Sequence, residues 1–514
     1  MPISLAKRYA FKLLANCATI PVYLVMEAIL PRALGPRAYG EFSFATNLFQ
    51  QCMGFLDMGS STCFYAALSR RQRELGLIGF YGRVSLVVLA LCMLLSLALL
   101  HPALGERIMP HVPLWMAPLA ALWAFLTWFG RVVRSVNDAF GATVPSELAR
   151  AAIGLGGMLV LATMFWADAL DIISLFIQQY LVLSALILGF WHVVRQNHKH
   201  IPWTLAAADA HAYRAEFFRY SHPLFVQALL SFVFLTGERW LLQWFDGSAE
   251  QGFFALSQKV SLACFLFVSA MTPLIMRELS IAWGQRDTAL MGRLITRFAP
   301  LLYVVAAYFS CFTFMEASFL VQLFGGAQFA QALLPVQIMA LYPVHQAYGQ
   351  LAGSVFQAIG RTTVLRDLTV VDCLGGIVVS WLLIAPPEYF GLRLGAAGLA
   401  VKITAVQFVM VNIYFRLVAR MLAFNYLRNL LHQLASLAVL LGLAFVSREV
   451  TFMLPPALAT GFARFLLSGA LYSLLAALCL LAAPRLAGCT RQELYSIAGR
   501  VWRNAPWKRH SHAN

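Results

Sequence analysis

The part of this sequence that could do chemistry is a set of ionisable side chains inside apolar runs. Residues 232–245 read FVFLTGERWLLQWF, which places Glu238 and Arg239 side by side among apolar and aromatic residues. Lys12, Glu27, Asp57, Arg83, Lys259, Asp367, Asp372 and Lys402 have comparable surroundings. In hydrocarbon such a group costs about 2.5 to 3.5 kcal/mol on insertion scales, so it faces a partner or a wet cavity and marks a pathway. Neighbours on a helix point about 100° apart, so Glu238 and Arg239 cannot satisfy each other. The chemistry offered is recognition: guanidinium and ammonium groups give charge-assisted hydrogen bonds to phosphate, and a carboxylate can take up and release H⁺ or Na⁺. Bond-making chemistry is not indicated, since no GxSxG, HExxH or P-loop pattern occurs. His198, His200, His510 and His512 form short surface clusters, and single cysteines such as Cys17, Cys52, Cys264 and Cys373 lack CxxC spacing and read as small apolar side chains. No cofactor or metal is expected.

The polar residues fall at helical spacing. Lys12, Asn16, Thr19, Tyr23 and Glu27 follow steps of four, three, four and four. Asn47, Gln50, Gln51, Gly54, Asp57 and Ser61 share one face of a second stretch. Gln227, Ser231 and Glu238 line a third, with Arg239 about 100° further round. Stripes on several helices imply a shared wet interior. Arg83, Asp367 and Lys402 lie near predicted helix ends, where a long side chain can snorkel to the interface, and Lys12 is intermediate.

The elements that must position these stripes follow from composition. The chain has 514 residues, 61% hydrophobic and 12% charged, with a mean hydropathy of +0.73. That is a membrane composition. Crossing a core of roughly 30 Å takes about 20 helical residues. Fourteen stretches qualify, near 9–30, 41–66, 79–100, 113–130, 146–167, 172–194, 221–245, 252–276, 298–316, 331–359, 364–385, 394–415, 430–447 and 461–483. The fourth is expected to run into a loop at RVVRSVNDAFG, and the tenth contains Pro335 and Pro343. Most of the 38 Lys and Arg fall in alternate connections, while the others hold Arg32, Arg37, Arg107, Arg393 and Arg448. Both termini are therefore expected in the cytoplasm. The basic start reads as the first span, not a cleaved signal, because its apolar run is too long and no small-residue cleavage site closes it. The +16 net charge is spread over short connections, which excludes a nucleic-acid groove and suits anionic lipid headgroups.

The longest polar interruption, residues 195–220, divides the chain. The organisation expected is an N-terminal six-helix lobe (1–194), a cytoplasmic linker (195–220), a C-terminal six-helix lobe (221–420), two additional helices (421–484) and a basic cytoplasmic tail (485–514). The linker segment WTLAAADAHAYRAEFFRY reads either as an interfacial amphipathic helix or as a plain connection. The halves resemble each other: LGPRAYGEFSFATN (34–47) and DGSAEQGFFALSQK (246–259) share Gly-x4-Gly and a phenylalanine at an offset of 212. The glycines suit tight interhelical turns. That offset pairs Arg239 with Glu27 and Lys259 with Asn47. Repeated halves of parallel topology are typical of transporters with a site near the midplane. A glycan polymerase or acyltransferase acting outside would need a substantial external loop, and none is present.

AILPRALGPRAYGEFSFATNLFQ (28–50), LDMGSS (56–61), FGGAQFAQALLPVQIMAL (324–341), AIGRTTVLRD (358–367) and LGAAGLAVKITAVQF (394–408) resemble the polysaccharide exporters, or oligosaccharide-lipid flippases, of the multidrug/oligosaccharidyl-lipid/polysaccharide superfamily. The resemblance covers most of residues 5–420. It implies an all-α integral membrane fold of about fourteen transmembrane helices, two pseudo-symmetric six-helix lobes in a V plus two C-terminal helices. It implies a multi-pass protein of the bacterial inner membrane that carries a polyprenyl-diphosphate-linked oligosaccharide, an O-antigen or exopolysaccharide unit, to the periplasmic leaflet by alternating access. Polysaccharide polymerase and chain-length machinery are the implied partners. The family's cationic cavity would correspond here to Arg239, Lys259, Lys12 and Arg83, with Asn47, Gln51 and Gln227 on sugar hydroxyls. Asp57, Glu27 and Glu238 would serve ion coupling. Glu27 and Asp57 make the site less cationic than a lipid II flippase would have, whereas Arg239 and Lys259 argue against a drug or cation antiporter.

Overall fold

A computed structural model describes residues 5–197, 207–455 and 460–488; within these, the side chains of residues 5–24, 197, 207–209, 223, 227, 266–270, 273–274 and 362 lie outside the described set. Among the described residues the fold is all-α, without strands. The helices are α1 (Leu5–Asp57), α2 (Ser60–Arg70), α3 (Gly76–Ala98), α4 (Pro102–Ile108), α5 (Met116–Ala139), α6 (Thr143–Trp166), α7 (Ile172–Asn197), α8 (Ala207–Ser221), α9 (Phe225–Gly284), α10 (Thr288–Met315), α11 (Ala317–Gly325), α12 (Leu333–Ala340), α13 (Tyr342–Ala358), α14 (Thr362–Ile384), α15 (Gly395–Leu422), α16 (Tyr426–Phe452) and α17 (Gly461–Ala482). Most residues of every apolar stretch read from the sequence fall on helix. Among the described residues nine helices are long and apolar enough to cross a membrane, so the protein is multi-pass.

Several boundaries differ from the sequence reading, each for a physical reason. RVVRSVNDAFG does not break into a loop at its start: α5 continues to Ala139, because Val132, Val133, Val136 and Asn137 are buried and Arg134 pairs with Glu147. The stretch 41–66 is interrupted at Met58 and Gly59, both in the left-handed region at φ 42° and 75°. The ninth stretch begins earlier than read, at Thr288, where Asp287 accepts from the Leu290 N–H at 2.7 Å and caps α10. The tenth divides at Leu341 into α12 and α13, with Pro343 in the first turn of α13, where its missing N–H costs nothing. Of the 195–220 connection, residues 198–206 lie outside the described set and the rest includes α8.

The chain packs as two compact units, one of residues 1–255, 324–329 and 377–396, the other of 256–323, 330–376 and 397–514. In the first, α1 lies on α5 and α6 around a core that includes Phe44, Phe64, Tyr81 and Trp128. Helix α8 docks on it through Tyr213 and Phe217, whose rings lie 5.5 and 5.4 Å from Phe80. In the second, α10 packs on α13 and α16 around Tyr303, Tyr348, Phe415 and Tyr472.

The sequence repeat has a physical counterpart in the first unit. Helices α1 and α9 are each two arms joined at a glycine, Gly35 with φ 75° and ψ 171°, Gly247 with φ 81° and ψ −171°. These are the first glycines of the two Gly-x4-Gly pairs, and their near-identical backbone requires the freedom that glycine alone has. The second glycines do something other than turn. A Cβ added to Gly40 would fall 1.7 Å from the Ser248 carbonyl oxygen, and one added to Gly252 would fall 2.1 Å from that of Pro36. Pro36 and Ser248 are themselves related by the 212-residue offset, so the contact is reciprocal. Two helix starts cross backbone to backbone, as small residues permit in membranes.

Gly40→Ala and Gly252→Ala are therefore expected to destabilise the purified protein, each by about 3 kcal/mol, the upper end for overpacking. Gly156→Ala in α6, where a Cβ meets nothing within 4 Å, should instead stabilise by about 0.5 to 1 kcal/mol. Thermal unfolding in detergent checks all three, and equal midpoints would contradict the crossing.

Candidate functional site

Arg239 lies in the first arm of α9 and is 7% exposed. Its Nη1 donates to Ser43 Oγ at 3.2 Å, and its guanidinium carbon stands 5.1 Å from the Phe254 ring centroid. Ser43 belongs to the second arm of α1, and Phe254 to the arm of α9 beyond Gly247. The kink thus folds α9 back so that its own later arm supplies a ring beneath the cation, an arrangement worth about 2 kcal/mol or more when desolvated.

Eight residues along each arm the same two helices meet again. Gln51 and Ser231 line a cavity of about 320 Å³ with Gly54, Phe55, Met58 and Phe232. The pairs 43 with 239 and 51 with 231 run in opposite senses, so the second arm of α1 and the first arm of α9 lie antiparallel. At 1.5 Å per residue the seam from Arg239 to the cavity is about 12 Å long. Asn47, half-buried, is placed midway along it. Phe55 closes the cavity end, its ring 5.7 Å from Phe225 and 5.8 Å from Phe232. The seam joins a buried cation at one end to neutral hydrogen-bonding groups at the other, a combination that can hold an anionic group and hydroxyls on one ligand.

Glu27 is buried in the first arm of α1 and Glu238 is half-buried beside Arg239. The side chains of Lys12 and Gln227 lie outside the described residues. Arg83 is exposed on α3. Asp57 closes the end of α1: its Oδ1 accepts from Ser60 Oγ at 3.0 Å, the Ser61 N–H at 2.9 Å and the Tyr81 hydroxyl at 3.3 Å, while Oδ2 accepts from Ser61 Oγ at 2.7 Å. That carboxylate ties the Met58–Gly59 break to α2. In the second unit, Lys259 is half-buried on α9, and Asp367 pairs with Arg366 at the surface. Lys402, read as a side chain near a helix end, is 7% exposed on α15.

Sequence reasoning missed three polar groupings. Glu147, fully buried, is held between Arg134 and Arg150. Glu316, 1% exposed, accepts from Arg464 at 3.3 Å and from Ser468 at 2.9 Å, which ties α17 to the end of α10. On α13, Gln350 accepts from Thr272 at 2.7 Å and Gln346 from Gln407, next to buried His345. The spacing of Gln346, Gln350 and Ser354 in steps of four was the available signal for the last. Arg134 and Arg464 lie 13 and 148 residues from their carboxylates and carry no such signal, whereas Glu147 and Arg150 stand three apart on one helix, a spacing that was available.

A family profile described as polysaccharide biosynthesis protein matches residues 5–277. No curated protein sequence matches the chain. Among solved structures, the lipid II flippase MurJ in an inward closed conformation is similar at TM-score 0.68 and 13% identity, covering 92% of this chain and 99% of its own. An inward-facing multidrug resistance MATE family transporter of the MOP superfamily is similar at TM-score 0.57 and 14% identity, covering 79% of this chain and 94% of its own. At these identities the likeness concerns the fold.

Replacing the Asp57 carboxylate removes four accepted hydrogen bonds at a helix junction. Asp57→Ala should cost about 1 to 2 kcal/mol of stability and Ser61→Ala about 1 kcal/mol. Denaturation of the purified variants measures this, and an unchanged midpoint for Asp57→Ala would remove the junction role.

Proposed function

Because the chain belongs to the polysaccharide biosynthesis protein family, whose profile spans more than half of it, we propose that it translocates a polyprenyl-diphosphate-linked oligosaccharide between the leaflets of the bacterial inner membrane. The observation that carries this reading is the buried Arg239 at the head of a polar seam. A diphosphate gains most from a guanidinium that is already desolvated and already positioned, because the cost of burying that cation is met during folding. Ser43, Asn47, Gln51 and Ser231 then offer neutral donors and acceptors to sugar hydroxyls, while the polyprenyl chain stays in lipid. The sugar unit is an O-antigen or exopolysaccharide repeat, and movement is by alternating access of the two six-helix lobes, 1–194 and 221–420. Lys259, Lys12 and Arg83 add positive charge along the path. Glu27, Glu238 and Asp57 are the groups proposed to exchange H⁺ or Na⁺. Both termini are placed in the cytoplasm, and polymerase and chain-length proteins would take the product.

The seam's buried cation disfavours export of drugs or organic cations, which an acidic aromatic site would serve better. The test is the amount and sidedness of lipid-linked oligosaccharide in a deletion strain complemented at matched expression. Wild type should relieve cytoplasmic-leaflet accumulation. Arg239→Ala should lower the transfer rate about tenfold or more, the loss of one charge-assisted hydrogen bond, with Arg239→Lys intermediate. Unchanged lipid-linked oligosaccharide on deletion would end this reading.

A further inference from the structure

The first unit holds a second cavity, a basic one, which the seam does not use. It encloses about 420 Å³ between α2 and α8 and is lined by Arg70, Arg71, Arg219, Glu216, Cys63 and Tyr220 among others. Its three guanidiniums are not equivalent. Arg71 Nη2 lies 2.8 Å from both Glu216 carboxylate oxygens, and its Nη1 lies 3.4 Å from Glu74, so two carboxylates already hold it. Arg70 and Arg219 form no ion pair among the described residues, and both are exposed on the rim. A cleft that fixes one arginine by carboxylates and leaves two others open around an apolar floor matches a tetrahedral anion.

The surroundings identify what carries that anion. Helix α8 turns Tyr213 and Phe217 inward onto Phe80 and leaves Phe218 70% exposed and Tyr220 42% exposed beside the cleft. Large aromatic side chains next to open arginines are the pattern of a helix lying in the headgroup region. We infer that the α2–α8 cleft binds the phosphate of a lipid headgroup at the membrane surface, through Arg70 and Arg219, with Glu216 holding Arg71 back. Two lipids offer this chemistry, an anionic bilayer phospholipid and a polyprenyl diphosphate. The inference does not depend on what the seam transports.

The experiment uses the purified full-length protein and follows retained lipid by native mass spectrometry. The probes are phosphatidylglycerol, a polyprenyl diphosphate and, as zwitterionic control, phosphatidylethanolamine. Arg219→Ala should weaken retention of the phosphate lipid about tenfold, whereas Arg214→Ala, the same charge change on the same helix outside the cleft, should leave it within about twofold. Glu216→Gln should strengthen it, since Arg71 is released toward the ligand. Preference for the polyprenyl diphosphate marks a docking point for a lipid-linked substrate, and preference for phosphatidylglycerol marks a bilayer contact; both support the site. Equal effects of Arg219→Ala and Arg214→Ala, or equal retention of all three lipids, overturn it. Should Arg219→Ala fail to fold, Arg70→Gln gives the same comparison.

Discussion

Two carbonyl oxygens and two glycines fix the arrangement of the first unit. Where Gly40 meets Ser248 and Gly252 meets Pro36 there is no side chain to trade for another, so the separation of the helices is set by the backbone itself. From that crossing the second arm of α1 runs beside the first arm of α9 in a register that brings Ser43 to Arg239 and Gln51 to Ser231. The kink at Gly247 returns the later arm of α9 so that Phe254 lies under the guanidinium. The positions of the cation, the hydroxyls and the cavity all follow from two short glycine pairs.

Within this near-symmetric frame the chemistry is asymmetric. The position equivalent to Arg239 in the first repeat is Glu27, and both are buried. Phe42, the counterpart of Phe254, packs on Phe176 and Trp123. The ring of the second copy lies against a guanidinium, whereas the ring of the first packs on other aromatic side chains. A desolvated guanidinium loses several kcal/mol of hydration, and here the Ser43 hydroxyl of the first copy and the Phe254 ring of the second both offset that loss.

Much of the helical layout was legible because it rests on local rules. Apolar runs of span length fell on helices, and the repeated glycines marked both the kinks and the close approach, although only the first member of each pair makes a turn. The stripe of Asn47 and Gln51 led to the seam. Asp57 shares that spacing yet accepts from the Ser61 N–H and hydroxyl in the first turn of α2, since periodicity gives the face and cannot say whether a neighbouring helix start claims the carboxylate. The RVVRSVNDAFG end of α5 reads as a loop because it is more polar, and it stays helical with its valines buried and Arg134 paired to Glu147. Lys402 stands near a helix end in sequence yet is buried on α15, since position along a helix does not say which neighbours pack against it.

The pairing of Glu316 with Arg464 and Ser468 bears on how the chain is made. Glu316 leaves the ribosome 148 residues before the arginine that will neutralise it. At about 5 to 20 residues per second that interval is roughly 7 to 30 s. Throughout it the end of α10 carries a carboxylate whose partners in the folded chain do not yet exist, so that end is completed only when α17 arrives, although α10 packs mainly on α13 and α16. The last helix thus acts as a closing step of biogenesis, and a chain arrested before residue 464 would present quality-control proteases with a charged group in the wrong solvent.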